Sequence, residues 1–164
     1  MQGLVELAGQ LRGRLQGGIA SIRSIDVSMS RQAVTILGGP GARTGRLNRE
    51  TADHTPGFAI AAVLHAGQLS PADYGRLLDD ETVLSLMGKV SLQEDAQASA
   101  AYPRHLPARL RARLADGREL EVSQSDPGSV DRDAFLRKLD TLWPADRTRD
   151  WPWRLGGSAP PFPR

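Results

Sequence analysis

His54 follows Asp53 at the edge of an apolar run, with Arg43, Arg46 and Arg49 just upstream. Histidine exchanges a proton near neutral pH, and arginine offers a carboxylate paired hydrogen bonds. Backbone amides at a helix start favour anions as well. Residues of these types could hold a small polycarboxylate and move a proton on it. On that reading His54 is the candidate catalytic residue, and Arg46, Arg49 and Asp53 are candidate substrate contacts. The plainer reading has Asp53 capping a helix and the arginines solvated.

The other two histidines offer less. His65 falls near the end of the following helix, where an imidazolium gains from the helix dipole, and His105 lies between Pro103 and Pro107 in a loop. Neither shares a close metal-ligand spacing with His54 or with a carboxylate, so no metal site is expected. Gly38-Gly39-Pro40-Gly41 leaves a helix instead of entering one and lacks the lysine of a phosphate loop; it reads as a helix stop.

Composition narrows the classes further. The absence of cysteine removes disulfides, thiolate metal sites and cysteine nucleophiles together. A hydrophobic share of 40% with 24% charged residues fits a folded globular chain and not a disordered one. The net charge is +2, with basic residues interspersed among acids, which argues against nucleic-acid binding. No apolar run approaches the ~18 residues of a membrane-spanning helix and no secretory leader is evident, so a cytoplasmic location is the default expectation.

Elements must position the candidate site, and their periodicity is readable. Leu4, Leu7, Ala8, Leu11 and Leu15 form one stripe of a helix that Gly17-Gly18 stops. A helix beginning almost at residue 1 suggests that something preceded it. Alternation at Ile25, Val27 and Met29 predicts a strand over residues 19–29. Ser30 should cap a helix through Leu37, and a loop carrying the three arginines should run to about Glu50. Pro56 fits the first turn of a buried helix that Gly67 ends, and Ser70-Pro71 should open the next. A third helix is expected around Val83 to Met87, then a short strand at Val90 and Leu92.

The segment PARLRARLADGRELEV predicts a hairpin. A three-residue loop, Ala115-Asp116-Gly117, sets Leu110 opposite Val122 and Ala112 opposite Leu120 on the core side. Arg111 then faces Glu121 and Arg113 faces Glu119 outside, with Gly117 in the left-handed position. A shift of one residue would mix the faces, so the pattern selects its own register. An amphipathic helix should follow to Trp143, and the Trp/Pro-rich residues 144–164 should be irregular. The expected fold is α+β, a small antiparallel sheet of about four strands with helices mainly on one face.

The stretch Glu50-Thr51-Ala52-Asp53-His54-Thr55-Pro56-Gly57-Phe58-Ala59-Ile60-Ala61-Ala62-Val63-Leu64 closely resembles a segment of the MmgE/PrpD family. The resemblance continues through Asp80 to Val90, the Asp116-Gly117 hairpin and the helix with Lys138-Leu139, where the family usually has Lys-Phe. It implies residues 1–143 as the carboxy-terminal α+β lid of a two-domain enzyme whose helical domain forms the other wall of a substrate cleft. Members include 2-methylcitrate dehydratase, cis-aconitate decarboxylase and iminodisuccinate epimerase, acting on small polycarboxylates without metal or organic cofactor. A hydro-lyase activity, no cofactor, a helical-domain partner subunit and homo- or hetero-oligomers are therefore expected. The chain departs from the family where a lysine- and histidine-bearing segment precedes the first helix, since no lysine occurs before Lys89. Its Trp/Pro-rich end departs too. The alternative expectation is a non-catalytic polycarboxylate-binding or protein-interaction module that kept the lid fold.

Overall fold

A computed structural model describes residues 1–38 and 47–126, all within one compact unit, Met1–Gly128. The helix expected to end at Trp143, the segment 144–164, and Arg43 and Arg46 lie outside the described residues.

The first helix, α1 (Gln2–Arg14), buries Leu4, Leu7, Ala8 and Leu11 as the stripe requires. Gly18, at φ 71, then redirects the chain. The strand expected from residue 19 begins later, as β1 (Ile22–Met29), because Ile19–Ser21 closes a 3₁₀ turn. The Ser21 amide and hydroxyl both donate to the Gly18 carbonyl, at 3.3 and 2.7 Å. Ile22 and Ile25 are both buried although three residues apart, since the register against the next strand slips between Ile22 and Ser24.

Ser30 caps α2 (Arg31–Leu37) as expected, accepting from the Ala33 amide. Four helices follow: α3 (Arg49–Asp53), α4 (Pro56–Ala66), α5 (Tyr74–Leu77) and α6 (Glu81–Met87). Gly67, at φ 87, ends α4 as its composition predicts, and Asp80 caps α6 through the Val83 amide at 3.0 Å. Ser70-Pro71 opens a turn and not a helix: the Asp73 carboxylate accepts from both the Ser70 amide and its hydroxyl, and α5 starts only afterwards. Then come β2 (Val90–Glu94), α7 (Ala96–Ala101), β3 (Ala108–Leu114) and β4 (Glu119–Gln124).

The four strands form one sheet in the order β2-β1-β3-β4. The α+β reading holds, with a refinement of the sheet. β1 pairs antiparallel with β3, and β3 with β4, but β1 and β2 run parallel, Ile25 beside Val90 and Val27 beside Leu92. The chain returns to β1's edge after a crossover through helices, which is how parallel neighbours are joined. The hairpin register is the expected one at every pair: Leu110 with Val122, Ala112 with Leu120, Arg111 with Glu121 and Arg113 with Glu119. Gly117 is left-handed, at φ 88.

Both Leu7 and Leu11 of α1, with Phe58, Ile60 and Leu64 of α4, are fully buried, as are Ile25, Val27 and Leu110 of the sheet. The core therefore lies between the sheet and α1 and α4. Arg12 of α1 donates to the Leu64 and His65 carbonyls, satisfying the last turn of α4. Arg14 donates to the Glu121 carbonyl of β4 at 2.7 Å. The opposite sheet face is polar and cross-paired: Arg111 reaches Glu121 at 2.9 Å, Arg113 reaches Glu119 at 2.9 Å and Asp26 at 3.4 Å, and Ser91 donates to Asp26 at 2.7 Å. Such solvent-exposed pairs select the register more than they add stability. No helix among the described residues is long and apolar enough to cross a membrane.

Candidate functional site

The candidate residues sit where one helix stops and the next begins. Asn48 opens α3 with a capping box, its side chain accepting from the Thr51 amide at 2.8 Å while the Thr51 hydroxyl accepts from the Asn48 amide at 2.9 Å. Arg49 thus belongs to the first turn of a helix and not to the arginine loop. Asp53 is the last residue of α3 and caps no helix: Asn48 occupies that position for α3, and Thr55 for α4 without a side-chain bond. Proline disfavours a helical conformation in the residue before it. Thr55 is accordingly extended, at φ −106 and ψ 101, and Pro56 becomes the first residue of α4. The Thr55 hydroxyl donates back to the Thr51 carbonyl at 2.8 Å, tying the two helices across the break.

His54 falls in that break with an exposed side chain. Among the described residues its ring makes neither a hydrogen bond nor an ion pair. The positive end of the α4 dipole lies at the same junction. A pocket of about 360 Å³ opens at the first turn of α4, lined by Leu37, Gly38, Thr55, Gly57, Met87 and Val90 among others, and neither His54, Asp53 nor Arg49 lines it. A Cβ at Gly57 would stand 3.0 Å from Met87 Cγ, so any side chain there would require Met87 to shift.

The residue that organises Arg49 and Asp53 is one that sequence reasoning missed. The Tyr74 hydroxyl, on α5, donates to Asp53 Oδ1. The Arg49 guanidinium lies 5.7 Å from the centroid of the Tyr74 ring, within cation–π range. The ring also meets buried Phe58 of α4, centroids 5.7 Å apart and planes tilted by 37°. Burial first, then the hydrogen bond and charge of Asp53, push the Tyr74 phenol up to about 12, against an opposing influence of Arg49. The hydroxyl therefore remains a donor at any ordinary pH. Tyr74 stands 21 residues beyond Asp53 on a short helix, and neither its spacing nor its neighbours in the chain signal the contact.

The remaining histidines are engaged structurally. His65 Nε2 lies 3.5 Å from Asp80 Oδ2 at the end of α4. His105 Nδ1 lies 2.8 Å from Asp126, whose other oxygen accepts from the Leu106 amide at 2.9 Å. That contact with His105, then the amide, holds the Asp126 carboxyl below its ordinary value. Lys89 donates to the Ile22 carbonyl at 2.7 Å. Among the described residues, no group of three or more His, Asp and Glu side chains is arranged to hold a metal ion.

The turn that presents Tyr74 carries a pH signature. The Ser70 hydroxyl, followed by the Ser70 amide, depresses the Asp73 carboxyl below the ordinary 3.8. A depressed carboxyl stabilises the fold above its unfolded value, and that contribution fades as pH falls through the lower folded value. Asp73→Asn is therefore expected to be less stable than wild type in urea titrations near about pH 6, the gap narrowing as pH falls below about 3.8. A gap that stayed constant into acid would show that the Asp73 charge has no part in it.

Residues 1–140 match the family model described as the MmgE/PrpD C-terminal domain. No curated protein matches the sequence.

Proposed function

The chain belongs to the MmgE/PrpD family through its C-terminal domain, and from that premise we propose that it forms one wall of a cleft in which a lyase acts on small polycarboxylates. The observation that supports this most is the α3–α4 junction, where an exposed imidazole meets the positive end of α4, next to the short helix whose Arg49 guanidinium lies on the Tyr74 ring. A reaction on a polycarboxylate that forms a carbanion beside a carboxylate needs a base, an acid for the departing group and cations for the developing charge. In this reading His54 contacts the substrate or transfers a proton, and Arg49 binds a carboxylate. Asp53 serves through Tyr74 instead of touching an anion. Arg46, outside the described residues, is a further candidate carboxylate contact, and a helical-domain partner supplies the other wall and the remaining catalytic groups. The 2-methylcitrate-like acids are the substrate class, with loss of water as the reaction.

The test is an NMR titration of the full chain with citrate. Shifts should concentrate at Arg49, His54 and the first turn of α4, and His54→Ala should weaken binding about tenfold, roughly the 1.4 kcal/mol of a lost charged contact. Citrate that leaves these resonances unmoved sinks the reading.

A second reading is favoured by Lys89. The first lysine of the chain is committed to the Ile22 carbonyl, leaving His54, among the described residues, as the acid–base group at the junction. A binding module without catalysis needs no more than that. Adding a helical-domain protein of the family separates the two, since only a lid would gain turnover of a tricarboxylic acid.

A further inference from the structure

Tyr74 touches three residues from two other helices, and each contact uses a different part of the side chain. Its hydroxyl engages Asp53 at the end of α3, its ring carries Arg49 from the start of α3, and the ring also rests against Phe58 of α4. The two α3 residues are four positions apart, so both ends of this five-residue helix are pinned to one side chain. A helix this short has little cohesion of its own, because too few turns repay its nucleation. Its orientation must come from outside. The capping box at Asn48 closes its first turn but reaches no other element.

From this arrangement we infer that Tyr74 is a positioning residue, setting where α3 presents Arg49 and the adjoining His54. The proposal deepens the polycarboxylate reading of the same junction and rests on it for the ligand. The chemistry is specific to tyrosine. Contact between the guanidinium and the ring consumes none of the N–H donors of Arg49, so they stay free for a carboxylate. The hydroxyl meanwhile occupies one oxygen of Asp53. Without it, Asp53 would be free to pair with Arg49, four residues away on the same helix, and cancel the cation. Tyr74 thus draws the carboxylate to its hydroxyl and the guanidinium to its ring face, competing with the pairing of two opposite charges that the helix spacing favours. Because the phenol keeps its proton throughout the ordinary range, the arrangement does not depend on pH near neutrality.

The experiment compares the full-length wild type with Tyr74→Phe and Tyr74→Leu, using the Arg49 side-chain resonances, amide exchange at His54, and citrate titration. In wild type the Arg49 side-chain protons should be shifted by the ring current of Tyr74. Tyr74→Phe keeps that shift and loses only the hydroxyl. Tyr74→Leu abolishes it, speeds His54 exchange and weakens citrate binding by about tenfold or more, as misplacement of a binding group does. Graded citrate affinity, with phenylalanine intermediate, is the expected result, whereas a purely structural role would leave Tyr74→Phe, which keeps the ring, with the affinity of wild type. If wild type binds citrate, equal affinity in all three proteins overturns the proposal. So do Arg49 shifts and His54 exchange that are unchanged in Tyr74→Leu. Wild type that ignores citrate while Tyr74→Leu still releases Arg49 and His54 would refute the ligand class and leave the positioning role supported.

Discussion

Phe58→Ala is expected to lower the unfolding free energy by about 3–5 kcal/mol, the range for removing a large aromatic from a packed interior. Phe58 is fully buried in the first turn of α4 and lies at the meeting point of the core and the candidate site. Its neighbours limit relaxation. Ile60, Ala61 and Leu64 on the same helix are also buried, and the Gly57 backbone already lies against Met87. The space left behind would stay open, and the Tyr74 ring would lose its support. Urea denaturation measures the loss, and a change of less than about 1 kcal/mol would show that the site can collapse onto itself. The same variant should also perturb the Arg49 side chain, since Tyr74 connects the two.

Leu7→Ala should cost about 2–5 kcal/mol by the same measure. The reasoning differs, because α1 contributes an entire wall of the core. Leu7 has no exposed surface, and the helix that carries it packs against α4 and the β3–β4 hairpin. With neither an acidic first turn nor a side-chain cap, α1 draws its stability from this packing. The contrast within the same protein is Ile36, on α2, which is 77% exposed. Ile36→Ala should stay within about 0.5 kcal/mol of wild type, as substitutions at open surface positions do. Equal losses at the two positions would contradict the placement of the core on α1.

What the sequence made legible depended on how locally each feature is determined. The β3–β4 register could be read residue by residue, because alternation, charge complementarity and the left-handed Gly117 all act within one hairpin. Ser30, Asp80 and Gly67 likewise announce helix ends through their own backbone contacts. The parallel placement of β2 beside β1 was hidden, since Val90 and Leu92 would read the same in either direction. Ile19 looked like strand because its alternation continues that of β1, but Gly18 and the Ser21 hydroxyl close a turn there. The short helix α7 escaped notice, although Asp95 caps it through the Gln97 and Ala98 amides, because a run of alanine and serine has no hydrophobic period.

The candidate site divides in the same way. His54 was visible as an unusual residue at a junction, and Pro56 correctly marks where α4 begins. The break that places His54 between two helices was readable only in part, since Asp53 offered itself as a cap while Asn48 performs that task for α3. The tie from Tyr74 to Asp53 and Arg49 is tertiary, and nothing in one-dimensional spacing reports it.

The bond from Arg14 to the Glu121 carbonyl has a consequence for crowding. β4 closes one side of the sheet, and such a rim is where a neighbouring polypeptide could add itself by main-chain pairing. An intruder would have to evict a guanidinium from an acceptor it already holds and lie alongside the acidic side chains of Glu119 and Glu121. Lateral growth into fibrous assemblies is opposed at that rim by a cation borrowed from the far end of α1 together with the two carboxylates.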